Sequence, residues 1–297
     1  MAAGAAILWP VSPLGVLAWT GSIGGLLWLR WGGRNGAANG PTPTYAPDLT
    51  ILSFNMLHKP RDLSPLLDTL ETVDPDIAVF QECIVRHIEQ LEPELAPVYP
   101  YRYWLPHPET NMGFGVASRH PFAITGLWAM EAFEPYALRL TLPSIWSDTS
   151  TPWDLYVVQF ISPTNEVRAL GPTRLLHMRE EQVRRVLAEV EARERPAVVV
   201  GDWNSTEGNR VYTMASARLV DGWREARNHP GWTWPCSLNP FLDQPIPPLL
   251  RLDYLFHTGR RFGSGLRVID MKTIDTPLGS DHRPIVAKIS AAKHTFS

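Results

Sequence analysis

Asp202 and Asn204 stand two apart at the end of the run PAVVVGDWN, residues 196–204, and so bring a carboxylate and an amide to the exit of an apolar segment. At a strand's two-residue period the pair can point the same way. The competing explanation is an Asx turn, in which both side chains bond their own backbone. Four other places carry polar groups of matching kind: Asn55 closes LTILSFN, Glu82 follows the apolar run 77–80, Asp253 stands early in LDYLF, and Asp281 and His282 adjoin in GSDH. Each by itself is explained as a solvated strand end, a turn residue or a cap. Together, at the ends of separate apolar runs, they are explained more simply by one site, because strand ends of a sheet converge on one rim.

The chemistry that uses this set is hydrolysis at phosphorus. A hard cation such as Mg²⁺, with Mn²⁺ as a substitute, takes oxygen ligands and keeps several waters, so Glu82 helped by the Asn55 amide suffices to hold it. Asp281 is placed to join the coordination through water. Asp202 would take a proton from the attacking water, while Asn204 holds that water or the phosphorus in position. His282, steadied by a carboxylate such as Asp253, would hydrogen-bond the phosphate, best as a cation.

The elements that must position these groups read as short strands with helices between them. Strand patterns cover 49–55, 77–80, 99–104, 138–142, 155–160, 197–200, 252–256, 267–274 and 284–289, and a small-residue strand lies within 111–121. Helical stripes cover 63–73, 85–95, 174–194 and 211–219, the third being the longest. Residues 228–249, rich in Pro and Trp, read as a long ordered loop near the site, its Trp side chains in contact with a base, a lipid or the core. Gly201 is expected to turn the chain where its strand ends. The whole reads as a layered α/β domain.

Ahead of this domain, residues 2–29 are 28 uncharged positions, long enough to span a bilayer, with Trp9, Trp28 and Trp31 near the two ends. Residues 1–31 are therefore expected to be a single membrane anchor. A cleaved signal peptide is the competitor, but the basic residues follow the apolar run instead of preceding it. Arg30 and Arg34 on its C-terminal side place the main domain in the cytoplasm. Residues 32–47, rich in Gly, Asn and Pro, read as a flexible tether, and the globular domain as 48–297.

The chain holds 27 basic and 30 acidic residues; without Arg30 and Arg34, the part from 48 onward has 25 against 30, a net charge of −5. That balance does not favour tight nonspecific binding of nucleic acid, which needs a basic face. Cys83 and Cys236 either pair or remain two lone thiols.

The segments LSFNML, DIAVFQE, GFGVASRHP, VVVGDWN, LDYLF and GSDHRPI resemble, in order and spacing, those of the endonuclease/exonuclease/phosphatase superfamily over about residues 48–290. The resemblance implies a four-layer α/β sandwich, two packed mixed sheets flanked by helices. It implies Glu82 as the metal carboxylate with Asn55 beside it, Asp202 and Asn204 as base and orienting amide, Asp253 as the partner of His282, and Asp281 as a second acidic group. One departure stands out: where many members end a strand in a histidine or tyrosine that touches the scissile phosphate, this chain has Gln159 or Phe160. Loss of a charged donor at a transition state costs about 2.7–4 kcal/mol by analogy with oxyanion donors. His120 or Arg119 is the candidate substitute, against a structural role in the turn. The expected function is a membrane-anchored, Mg²⁺-dependent hydrolase of a phosphodiester or phosphomonoester. The alternatives are a weakly active or inactive scaffold within a membrane protein assembly, and a nuclease.

Overall fold

The computed structural model describes residues 48–291 apart from 60, 107–112, 131–132, 145–150, 163–170, 227–229, 238–244, 264 and 277. The expected anchor and tether, residues 1–47, lie outside the described residues. Among the described residues no helix is long and apolar enough to cross a membrane.

The described strands are β1 (Leu49–Asn55), β2 (Ile77–Gln81), β3 (Tyr101–Leu105), β4 (Phe114–Ser118), β5 (Ala123–Met130), β6 (Phe133–Leu142), β7 (Trp153–Gln159), β8 (Ala197–Asp202), β9 (Val220–Asp221), β10 (Asp253–His257), β11 (Leu266–Thr273) and β12 (Ile285–Ala291). The described helices are α1 (Ser64–Val73), α2 (Val85–Leu95), α3 (Pro172–Arg193), α4 (Arg210–Ser216) and α5 (Gly222–Ala226). They build two sheets of six described strands each, ordered β11-β12-β1-β2-β4-β3 and β5-β6-β7-β8-β10-β9. Both are mixed: β1–β2 and β7–β8 pair in parallel and the other described pairs are antiparallel.

The apolar runs are buried on both faces, and their period of two sorts them into layers. Leu49, Ile51 and Val79 of one sheet meet Leu155, Val157, Val200 and Leu255 of the other in a shared core. Residues of opposite parity, Leu52, Phe54 and Phe80, pack outward on Leu66 and Leu70 of α1 and Leu91 and Leu95 of α2. On the far side Tyr156, Val158 and Val199 pack on Val183, Val186 and Leu187 of α3. The result is the four-layer sandwich that the resemblance implied.

Several boundaries differ from the sequence pattern. The edge strand β5 has no counterpart in it, because an edge strand pairs on one side only and most of its residues are exposed or half-buried. Gly201 does not turn the chain. It lies within β8 opposite Val158, with φ 141°, and a Cβ there would stand 2.0 Å from the Val158 carbonyl oxygen. Close approach of β7 and β8 is what requires glycine at this position. Cys83 and Cys236 are both buried free thiols.

Candidate active site

The parity that fills the inter-sheet core also aims the polar strand ends. Asn55 continues the inner-face series Leu49, Ile51 and Ser53; Gln159 continues Leu155 and Val157; Asp202 continues Val198 and Val200; and Asp253 precedes Leu255. In the ladders Asp202 stands opposite both Gln159 and Asp253, and Asn55 opposite Gln81. The polar groups therefore meet at the mouth of the cleft between the sheets.

At that mouth Asn55 Nδ2 donates to Glu82 Oε1 and to Asp202 Oδ2, 3.1 Å each, so it bridges two carboxylates. Its Oδ1 accepts from the Leu57 amide at 3.0 Å. Glu82, just past β2 at φ 56°, also accepts Gln159 Nε2 on Oε1 at 3.1 Å, and the His58 amide and Nδ1 on Oε2 at 3.0 and 2.8 Å. Burial alone would raise the Glu82 carboxyl, but His58 and Asn55 outweigh it and hold it below the usual carboxylate range.

Asp202 is buried and accepts the Asn204 amide on Oδ1 and Asn204 Nδ2 on Oδ2, both at 2.8 Å. The Asx-type bond is thus present, and inside the site. Asn204 has φ 47°, so the turn brings it back to Asp202 where the two-residue period of a strand does not. Trp203 between them packs outward against Phe160 and Phe256. Asn204 Nδ2 also reaches the Phe160 carbonyl at 2.9 Å. Burial pushes the Asp202 carboxyl up to about 7, a direction Asp253 reinforces and His282 opposes.

His282 Nδ1 lies 2.8 Å from Asp253 Oδ2, and its Nε2 faces Asp202 Oδ2 at 4.0 Å. Burial would lower the imidazole pKa, but Asp253 and Asp202 raise it well above the ordinary histidine value, which favours the cationic ring. Ser280 Oγ donates to the Asn55 carbonyl at 2.7 Å and accepts the His282 amide at 3.1 Å, fastening this loop to the end of β1. Asp281 does not face Glu82 through any described contact; its Oδ2 accepts the Trp234 indole N–H at 3.1 Å and its carbonyl the Cys236 amide. The described part of the Pro- and Trp-rich loop thus lies against Asp281, the neighbour of His282.

The structure decides between Gln159 and Phe160: Phe160 is buried in the outer aromatic cluster with Tyr136 and Trp203, and Gln159 faces the cleft. His120 and Arg119 cannot substitute for a cationic strand-end group. They follow Ser118, which pairs with Ile77 at the opposite end of β2 from Gln81, and they bind Asp76 and Asp74 there. Sequence patterning missed His58, Ser280 and Arg179. The last is buried in α3, donates to the Ile161 carbonyl at 2.8 Å, and is pushed down to about 10 by burial despite the charge of Asp202.

The donor set fits a divalent cation at Glu82. Gln159 Oε1 is a buried carbonyl oxygen that receives no hydrogen bond, on the residue whose Nε2 touches Glu82; with the amide turned over, that oxygen would face a hard cation at Glu82. One ligand atom from each of Asp202, Asp253 and His282 also lies within 4.8 Å of the others, a second group with metal-ligand spacing.

This cleft between two mixed sheets, edged with acidic, amide and imidazole groups, defines a class of α/β phosphoesterase folds. The chain belongs to the Endonuclease/Exonuclease/phosphatase family, whose sequence model matches residues 52–282. Members of that family are generally metal-dependent hydrolases acting on phosphoesters. No curated protein matches the chain in sequence. Among solved structures it is similar to humanized D. rerio TDP2, at TM-score 0.62 and 18% identity over 82% of this chain and 98% of that one. D. rerio TDP2 complexed with single-strand DNA product gives 0.62 and 17%, covering 82% and 98%. The human Nocturnin catalytic domain with bound sulfate gives 0.60 and 17%, covering 82% and 94%. At these identities the likeness speaks to the fold.

Proposed function

We propose that this chain hydrolyses a phosphodiester or phosphomonoester with a divalent cation held at Glu82, and that residues 1–31 anchor it in a membrane with the catalytic domain on the cytoplasmic side. The observation that carries the catalytic part is the gap between Asp202 and His282: their facing atoms are 4.0 Å apart, too far to bond each other. One oxygen atom can stand about 2.8 Å from both.

Asp202, raised by burial toward neutrality, takes a proton from a water in that gap. Asn204 and Asn55 fix the Asp202 carboxylate through hydrogen bonds from two sides. His282, kept cationic and oriented by Asp253, donates to a phosphate oxygen as charge builds there. When bound, the cation draws charge from the phosphate oxygens and steadies the leaving oxygen. Gln159 is engaged with Glu82 and offers no positive charge to the phosphate, so turnover is expected to be slow for this chemistry.

The net charge of −5 after residue 47 and the apolar N-terminal run support a membrane-proximal substrate such as a lipid headgroup. The likeness to D. rerio TDP2 with a single-strand DNA product is the specific observation favouring nuclease activity instead. The test is an assay of the full chain in detergent on bis-p-nitrophenyl phosphate, nucleotides, inositol phosphates, phospholipids and single-strand DNA, with Mg²⁺ or Mn²⁺. Turnover that needs both the metal and Asp202 is expected. Its absence on every substrate would leave the chain as a phosphoesterase-fold scaffold.

A further inference from the structure

Glu82 accepts four hydrogen bonds, two on each oxygen: Asn55 Nδ2 and Gln159 Nε2 on Oε1, the His58 amide and His58 Nδ1 on Oε2. A carboxylate has about four lone-pair positions, so this one has none left. A cation that binds Glu82 must displace a donor or recruit one. The Asn55 and Gln159 amides are buried, and the His58 backbone amide is fixed by the chain. The His58 ring, with 36% of its side chain exposed, is the donor best able to change role.

We propose that His58 Nδ1 is itself a ligand of the cation held by Glu82, giving this chain a mixed nitrogen and oxygen site that takes Mn²⁺, Co²⁺ or Zn²⁺ in preference to Mg²⁺. Three observations support it. The Nδ1 to Oε2 distance of 2.8 Å matches two neighbouring ligands of one ion, since bonds of about 2.1 Å at right angles put them about 3 Å apart. The His58 amide on the same oxygen, at 3.0 Å, holds the residue against Glu82 whichever tautomer the ring adopts. With the ring proton on Nε2, Nδ1 carries a lone pair where the N–H stood, and a turn of the part-exposed ring brings it from Oε2 toward an ion shared with that oxygen. The buried, unpartnered Gln159 Oε1 supplies a hard oxygen on the other side once its amide turns over, an exchange of Oε1 and Nε2 that preserves the side-chain shape. Imidazole suits Mn²⁺, Co²⁺ and Zn²⁺ better than Mg²⁺, which prefers oxygen and water.

This inference rests on the assignment of Glu82 as the metal carboxylate, and its test separates the two. Calorimetry on the full chain in detergent would measure Mn²⁺ and Mg²⁺ affinity for the wild type, His58→Ala, His58→Gln and Glu82→Gln. Electron spin-echo spectra of the Mn²⁺-loaded proteins would report nitrogen bound to the metal. The expected result is tighter Mn²⁺ than Mg²⁺ binding by the wild type. His58→Ala should lose about tenfold or more in Mn²⁺ affinity and lose the nitrogen signal, with less than threefold change for Mg²⁺. His58→Gln should not restore the signal. Mn²⁺ binding by His58→Ala as tight as wild type or tighter, with an unchanged nitrogen signal, would overturn the role of His58 alone, provided Glu82→Gln abolishes binding. Binding that survives Glu82→Gln, or no binding by the wild type, would overturn the metal assignment and this inference with it.

Discussion

Asp202 and Asp253 stand opposite each other in the β8–β10 ladder, and His282 spans them, its Nδ1 2.8 Å from Asp253 and its Nε2 4.0 Å from Asp202. Two carboxylates facing across a strand pair repel, and the imidazolium between them offsets that repulsion. The same arrangement aims Nε2 into the cleft.

Asp253→Asn keeps the shape of the side chain but removes the charge that orients and charges His282. We expect kcat on bis-p-nitrophenyl phosphate to fall by about 10²–10⁴-fold, with a smaller change in KM. A variant with unchanged kcat would mean that His282 does not act on the phosphate.

Asp202→Asn should abolish turnover and weaken the pH dependence of stability in metal-free buffer. A carboxyl whose folded pKa is about 7, against about 3.9 unfolded, binds more protons in the native state between those values, so stability falls as pH rises from about 4 to 7. The raised His282 acts in the same direction, since its contribution is present below about pH 6.5 and is lost as pH rises through the folded value. Thermal melts in EDTA from pH 5 to 8 should show the wild-type midpoint falling with pH. The Asp202→Asn midpoint should fall less.

Gly201→Ala places a methyl 2.0 Å from the Val158 carbonyl oxygen at φ 141°, one residue before Asp202. Forcing β7 and β8 apart should cost about 1–3 kcal/mol in urea unfolding, as overpacking generally does. Activity at a temperature where the variant remains folded should fall with it, because the shift carries Asp202.

Arg251→Met should be among the most damaging changes distant from the chemistry. Arg251 is buried, meets Asp221 with two nitrogens at 3.2 and 2.6 Å, and binds Glu207 at 2.7 Å, three residues beyond Asn204. Removing it leaves the buried Asp221 with only the exposed Arg224 guanidinium, 3.8 Å away, as a countercharge, a loss of about 3 kcal/mol by chemical denaturation. Asp221→Asn in the same chain should recover part of that loss.

Much of the site is legible in the residue order, for a reason specific to sheets. Asn55, Asp202 and Asp253 lie at strand ends with the parity of core residues, and alternation of period two carries that parity along the chain. Contacts made by loops carry no such signal. His58 meets Glu82 across 24 positions and Ser280 meets Asn55 across 225, and no periodicity links either pair. Arg119 and His120 show the converse, since closeness in sequence to a small-residue strand suggested a role that the antiparallel β2–β4 pairing places at the wrong end.

By itself the sequence determined the layered α/β class and marked Asn55, Glu82, Asp202, Asn204, Asp253, Asp281 and His282 as polar groups at the exits of apolar runs, because such runs must bury both faces and leave polar residues at their ends; Asp281, expected near the metal, instead meets Trp234. Asn55 was expected beside a metal as an oxygen donor, and only the tertiary structure turned its amide nitrogen toward Glu82 and Asp202. Only the packing of the two sheets decided that Gln159, and not Phe160, faces Glu82, and that His58 caps the carboxylate intended for a cation. Those distances are set by the side chains filling the space between the layers, and no single segment of the chain contains them.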